Sequence, residues 1–334
     1  MTTPSPLIFR PILLDKVWGG DRLARFGKAV APGAKVGESW ELADLGATAA
    51  SGAGGGAQRS IIANGPFAGR TLHDAMEAWG AAMLGRAAKS PAGEFPLLVK
   101  FLDARENLSV QVHPSPAYAA AHPGAHLKTE CWYILHAEPG SVLYKGVKRG
   151  VTRDAFAAHI ASGSVVNDLV AVPAVPGEVH ALPSGTCHAL GAGVLVAEVQ
   201  TPSDTTFRVF DWGRTGRALH VEESLACIEF GPAPEAVKLR SGGAGFGSAL
   251  TTDYFTLRHL SLGNDDERPI SPGGAMAVVL VLGGAGSLYS DAGAFAPVDL
   301  RVGMTVLVPA GVAGEAQVSA GELRRVECLV ATVP

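Results

Sequence analysis

Apolar residues fall along this chain in short runs broken by glycine and proline, and long amphipathic stretches are few. That punctuation predicts a mainly all-β protein, a sandwich or barrel. Leu7 to Trp18 reads as an opening strand pair, and Ser39-Trp-Glu-Leu-Ala43 alternates as a further strand. Phe95 to Leu102, Lys128 to Leu135, Val175 to Leu182, Val194 to Gln200 and Phe207 to Trp212 follow as strands. Near the end come Tyr254 to Leu262, Met276 to Leu282, Gly286 to Tyr289 and Thr305 to Val308. Helical spacing is confined to a few places. Between Thr71 and Ala88, residues Leu72, Ala75, Met76, Trp79 and Met83 share one face, with Thr71 as cap and Asp74 where a capping box wants an acid. Ser115 to His122 reads as a short helix or loop, Thr152 to Ser162 as a helix capped by Thr152, and Val221 to Ile228 as a helix whose acidic start suits its dipole. Gly52 to Gln58 is a flexible Gly/Ala loop, and residues 231–247 thin into a linker. The division that follows is a catalytic unit over residues 1–230, a linker over 231–247 and a second β-sandwich over 248–334.

Composition narrows the class. Of 334 residues 47% are hydrophobic and 17% charged, which suits a soluble, compact chain with a sizeable core. The net charge of −4, without basic runs, argues against nucleic acid as a partner. No uninterrupted apolar run is long enough to span a membrane, and the N-terminal residues lack a secretory signal pattern. Cys131, Cys187, Cys227 and Cys328 are widely spaced and form no Cys-x-x-Cys pair, so a reducing cytoplasm is expected.

The stretch Leu108-Ser-Val-Gln-Val-His-Pro114 carries the first candidate chemistry. In a strand Ser109, Gln111 and His113 point one way while Leu108, Val110 and Val112 point the other, and Pro114 ends the ladder. A half-exposed edge strand facing water shows the same alternation. The second candidate is Gly177-Glu-Val-His-Ala-Leu-Pro-Ser-Gly-Thr-Cys-His188, where a strand ends in the turn Pro183-Ser-Gly185 and a histidine follows three residues on. Lys128, Glu130 and Trp132 share a strand face. Gln111, His113, Glu130 and His188 together offer an amide oxygen, two imidazoles and a carboxylate, a set suited to one Zn²⁺ per chain, with Mn²⁺, Fe²⁺ or Co²⁺ as other occupants. His73, His122, His126, His136 and His159 are assigned to surface or packing, and His180 stays nearer that role than the site.

The second segment matches the second cupin signature, while the first signature appears as Gln111-x-His113 with Glu130 further along. This variant resembles the type I phosphomannose isomerases. The resemblance extends through Pro11 to Gly20, Gly37-Glu-Ser-Trp-Glu41, Phe95 to Phe101, Leu108 to Pro114, Lys128 to Tyr133, Glu198 to Gln200 and Ser203 to Trp212, in the family's order. It implies a cupin-type jelly roll of two halves and interconversion of mannose 6-phosphate and fructose 6-phosphate through a cis-enediol. It implies Gln111, His113, Glu130 and His188 as metal ligands, Lys100 and Ser109 at the phosphate of the small-molecule sugar phosphate, and Asp204 and Arg208 at the reacting end. Lys128 is either the base, its pKa lowered by burial beside the metal or Arg208, or a phosphate or carboxylate anchor. Leu190 stands where larger members carry Tyr. A non-catalytic metal-bearing cupin that binds a sugar or sugar phosphate or regulates transcription, and a metal-dependent dioxygenase, are the competing readings. Retention of Lys100, Lys128 and Arg208 beside the ligands speaks against the first, and the missing His-x-His against the second. Gly303-Met-Thr-Val-Leu-Val-Pro309-Ala-Gly311 repeats the spacing of Gly177 to Gly185 but has Gly314 at the position of His188, so the C-terminal half is expected to hold no metal.

Overall fold

Strand alternation sorts the side chains into layers in the computed structural model, which describes residues 3–47, 57–239, 247–321 and 324–334. One antiparallel sheet contains β2 (Ile12–Gly20), β3 (Val36–Leu42), β4 (Leu98–Ala104), β6 (Glu130–Ala137), β9 (Glu178–Leu182), β11 (Val194–Gln200) and β13 (Val237–Lys238). Its order is β13-β9-β6-β11-β4-β3-β2. A second sheet contains β5 (Val110–Val112), β7 (Val142–Val147), β8 (Leu169–Pro173), β10 (His188–Leu190) and β12 (Phe207–Phe210), ordered β12-β5-β10-β7-β8. Between these sheets Leu102, Leu143, Leu182, Leu190 and Val196 bury together with Trp132. Behind the smaller sheet, Phe156 and Ile160 of α4 (Arg153–Ser162) and Cys227 of α5 (Val221–Cys227) pack on Val110, Val112, Ala189 and Val209.

The remaining strands are β1 (Leu7–Ile8), β14 (Ala249–Thr251), β15 (Thr256–Gly263), β16 (Glu267–Pro269), β17 (Ala277–Tyr289), β18 (Val298–Arg301), β19 (Thr305–Val308), β20 (Gln317–Ser319) and β21 (Arg325–Thr332). They form the C-terminal sheet, with the path β1-β19-β17-β21-β15-β14. Its Leu257, Val278, Leu280, Leu307 and Leu329 share one core with Val99, Phe101, Tyr133 and Val199 of the large sheet, and with Leu72, Met76 and Trp79 of α1 (Leu72–Trp79). Burying each such side chain contributes about 1.5–3 kcal/mol.

Several elements differ from the sequence expectation, each for a local reason. Leu7 to Trp18 does not pair with itself: β1 joins Leu307 and Val306 of β19, while β2 joins β3. The helix after Thr71 has the expected capping box but breaks at Gly80, continuing as α2 (Ala81–Leu84). The short helix at Ser115 is α3 (Pro116–Ala121), capped by the Ser115 hydroxyl. Met276 to Leu282 and Gly286 to Tyr289 are one strand, β17, whose first part pairs with β19 and β21 and whose end pairs with β18 and β20. The turn expected at Pro309 opens a one-turn helix, α6 (Ala310–Ala313). Most of the Gly52 to Gln58 loop lies outside the described residues. Within residues 231–247, Val237 and Lys238 pair with Val179 and Glu178.

Candidate metal centre and cleft

Register brings the candidate ligands together. His188 opens β10 directly opposite Gln111 on β5, and His113 follows β5 by one residue. Glu130 is the first residue of β6, on the facing sheet. One ligand atom each from His113, Glu130 and His188 falls within 4.8 Å of the others, and all three residues are buried. His113 Nε2 is 3.3 Å from Glu130 Oε2, His188 Nε2 is 3.2 Å from Glu130 Oε1, and Gln111 Nε2 is 3.3 Å from His188 Nε2. A tetrahedral zinc site with bonds near 2.0–2.1 Å spaces its ligand atoms about 3.3 Å apart.

The outer nitrogens fix the tautomers. His113 Nδ1–H donates to the Thr205 carbonyl at 3.0 Å and His188 Nδ1–H to that of Thr186 at 2.8 Å, so both Nε2 lone pairs face inward. His113 Nε2 and Glu130 Oε1 are buried without a hydrogen-bond partner, while Glu130 Oε2 is ion-paired with Lys128 at 2.7 Å; the two orphaned atoms are costly unless a cation completes them. Rotating the Gln111 amide presents its oxygen where its nitrogen now meets His188. The donor set therefore fits a divalent cation such as zinc. Burial, and then the Lys128 charge, push His113 down to about 3, keeping it a neutral ligand. Burial alone would raise Glu130, but Lys128 and His113 outweigh it and hold the carboxyl well below its ordinary range.

A narrow cleft opens from this centre. Trp18, Lys100, Leu108, Ser109, Gln111, Lys128, Thr206 and Arg208 line it, together with Glu38, Glu198 and Arg217, which the sequence reading missed. Lys128 lies 2.7 Å from Glu130, and Lys100 lies 3.2 Å from Glu198 and 3.9 Å from Glu38. Trp132 Nε1–H donates to Glu198 at 2.8 Å and Trp40 Nε1–H to Glu38 at 2.6 Å, so each carboxylate is aimed by the indole of its own sheet. Burial pulls the Lys128 pKa down, but Glu130 and Glu198 outweigh it and raise Lys128 above the ordinary lysine value.

Ser109 Oγ–H reaches Gln111 Oε1 at 3.4 Å, linking the proposed phosphate end to the ligand set. Asp204 is buried but does not line the cleft; its carbonyl accepts from the Thr206 hydroxyl at 3.2 Å. Leu190 is fully buried among Leu108, Trp132 and Leu182, below the cleft floor. Cys187 packs on the outer side with Val110 and Phe156, away from His188. Glu198 was detectable in principle, since an acid inside the mostly apolar buried strand Val194–Gln200 demands a partner, whereas Glu38 shares its strand with Ser39 and Glu41 and does not stand out. Arg217 lies in an irregular segment after β12, where no periodicity flags it. A larger apolar groove of about 460 Å³, walled by Pro91, Leu127, Tyr254 and Val333, contains none of the metal-ligand residues.

A family model described as the catalytic domain of type I phosphomannose isomerase matches residues 9–128. The chain is 37% identical over 239 residues to the mannose-6-phosphate isomerase ManA of Bacillus subtilis, covering 70% of this chain and 71% of that one. It is 36% identical over 233 residues to the mannose-6-phosphate isomerase of Streptococcus mutans, covering 68% and 69% respectively. The crystal structure of the mannose 6-phosphate isomerase from Bacillus subtilis superimposes with a TM-score of 0.81 at 26% identity, covering 98% of this chain and 99% of that one. A zinc-bound mannose 6-phosphate isomerase shares the fold, with a TM-score of 0.69 at 19% identity over 98% of this chain and 99% of that one.

Proposed function

The chain belongs to the type I phosphomannose isomerases, enzymes of cupin-type fold that interconvert mannose 6-phosphate and fructose 6-phosphate, and we propose the residue roles by which it does so. Gln111, His113, Glu130 and His188 hold one divalent cation, zinc first and Mn²⁺, Fe²⁺ or Co²⁺ as alternatives. The observation that carries this is the buried, inward-facing set of ligand atoms from His113, Glu130 and His188 within 4.8 Å of one another, with His113 Nε2 and Glu130 Oε1 unpartnered. When bound there, the cation would supply Lewis-acid polarisation of the substrate's oxygens.

The isomerisation moves a proton between neighbouring carbons through a cis-enediol, so one group must take it and return it on the same face. Lys128, held as an ammonium by Glu130 and Glu198, is poorly suited to take it. Glu198 suits the task better: it is a carboxylate lining the cleft, with one oxygen fixed by the Trp132 indole and the other ion-paired with Lys100 at 3.2 Å. Lys128 then stays an ammonium that stabilises charge on the substrate oxygens, with Arg208 as a second positive group on the cleft wall. Lys100 and Ser109 offer donors to the phosphate. Asp204 is a positioning residue: its backbone carbonyl accepts from the hydroxyl of Thr206, which lines the cleft wall. Residues 1–230 carry the reaction, 231–247 connect, and 248–334 form the metal-free half. Buried, unpaired cysteines support a cytoplasmic setting, and a net charge of −4 supports a partner list of small molecules without nucleic acid.

A coupled assay on mannose 6-phosphate tests the scheme. Chelation should abolish turnover and Zn²⁺ or Co²⁺ restore it, whereas full activity in a metal-free preparation overturns the metal assignment. Glu198→Gln should keep its metal and lose roughly 10²- to 10⁴-fold in kcat. If Glu198→Gln turns over normally while Lys128→Met does not, the proton is carried by Lys128 instead.

A further inference from the structure

Three guanidiniums gather beside the cleft around one buried carboxylate. Asp211, 3% exposed, accepts from Arg214 Nη2 at 2.8 Å and Nε at 3.2 Å, and from Arg217 Nε at 2.9 Å as well as Arg217 Nη2. Arg208 has no hydrogen bond to that carboxylate. Its Nη1 donates to the Ala218 carbonyl at 2.8 Å, and its buried Nε has no hydrogen-bond partner. Arg208, Arg214 and Arg217 face the carboxylates of Asp211 and, 3.7 Å from Arg214, Glu106, so the group keeps a net positive charge.

The opposite wall of the cleft is different. Lys100 stands against Glu198 and Glu38, and Lys128 against Glu130, so each lysine is already matched by carboxylate. An anion pressed only against Lys100 would also meet two negative neighbours. Arg208 and Arg217 line the same cleft as Ser109, and the Arg217 side chain is 28% exposed, open to a ligand from solvent. With Nε and one side of Nη2 committed to Asp211, Arg217 keeps Nη1 and a second Nη2 hydrogen free in a fixed fork, a geometry that matches phosphate oxygens.

We propose that Arg217, clamped by Asp211, is the specificity-determining residue that reads the phosphate monoester dianion of the substrate, and that Asp211 is the positioning residue that aims it. This rests on the isomerase reading above and adds the group that distinguishes a phosphorylated sugar from a free one. Lys100 and Ser109 supply donors to the same phosphate, while the uncompensated charge comes from Arg217 beside Arg208.

The test uses the full-length, metal-loaded enzyme and the variants Arg217→Gln, Arg217→Lys and Asp211→Asn. Arg217→Gln should raise KM for mannose 6-phosphate roughly 10- to 100-fold, the scale of a lost charged hydrogen bond, with kcat within about twofold. Arg217→Lys should recover part of that loss, because it restores charge without the fork. Asp211→Asn should raise KM in the same direction and by less. Calorimetric titration with inorganic phosphate should weaken in parallel in Arg217→Gln, a readout that does not depend on turnover. An unchanged KM and unchanged phosphate binding in Arg217→Gln overturn the proposal, as does a loss confined to kcat. If the parent enzyme binds phosphate through Arg217 yet does not isomerise mannose 6-phosphate, the isomerase reading fails and the anion site stands.

Discussion

His180 is the buried titratable group that the reaction does not use. It is 1% exposed, lies opposite Trp132 in the register of β9 and β6, and neither ring nitrogen has a hydrogen-bond partner among the described residues. Burial, and then the charge of Lys145, push it down to about 4. In the unfolded chain it takes a proton near pH 6.5, whereas the folded protein resists until about 4. Stability is therefore lost as pH falls from about 6.5 to about 4, and this residue adds no further loss below that. The expected size is about 2 kcal/mol between pH 7 and pH 5. Urea unfolding of the metal-loaded enzyme at both pH values should show a loss that His180→Leu reduces by about that amount; an identical pH dependence in the variant sinks the account. His180, His113 and His188 look alike in the sequence, and spacing separated them only because Pro183-Ser-Gly185 sets where His188 emerges. Glu198 and Arg217 escaped for opposite reasons. Glu198 sits inside a strand that alternation had already explained, and Arg217 sits where there is no alternation to read.

Elements were legible where their pattern was local. The capping box at Thr71 and Asp74, the Thr152 cap and the strand Val194 to Gln200 stand where the sequence put them, because each depends on residues within a few positions. Pairing partners were not legible, since register depends on residues far away. β17 makes the point: what reads as two strands is one, and it passes between partners at a register shift beside Gly283 and Gly284. Gly284 has φ 71°, and a Cβ there would lie 1.8 Å from the Arg325 carbonyl oxygen. Gly274 has the same φ of 71° with nothing within 4 Å. The pair separates backbone strain from collision. Gly274→Ala should cost roughly 1 kcal/mol, the penalty of a left-handed alanine, whereas Gly284→Ala should cost roughly 3 kcal/mol or more because β21 must move away. Denaturant midpoints measure both, and equal losses would show that the close approach to Arg325 carries no weight.

At the scale of the whole molecule, the two halves share structure that a linker at 231–247 would not suggest. β1, from the N-terminal end, is a strand of the C-terminal sheet, pairing with β19. Lys28, buried, donates to Glu41 at 2.7 Å and to the Gly303 carbonyl at 2.7 Å. β3 carries this contact on one face through Ser39 and Glu41, and points Glu38 and Trp40 toward the cleft and Lys100 on the other. The C-terminal half thus braces the strand that helps to aim Lys100. Removing residues after Gly247 takes away Leu257, Val278, Leu280, Leu307 and Leu329, exposing Val99, Phe101 and Tyr133 and leaving Lys28 without one of its two acceptors. A shared apolar face of that extent does not stay in water without association or unfolding. The truncated chain should therefore be recovered mainly as aggregate, or as a soluble fraction with a cooperative transition at least 10 °C below that of the full chain, since several core side chains at 1.5–3 kcal/mol each are lost. Lys28→Met in the intact chain tests the same brace more gently, because it removes the charge but keeps an apolar stem. It should leave one bound metal per chain and raise KM for mannose 6-phosphate through displaced Lys100. A monodisperse truncated protein with full activity would show instead that residues 1–247 hold the cleft unaided.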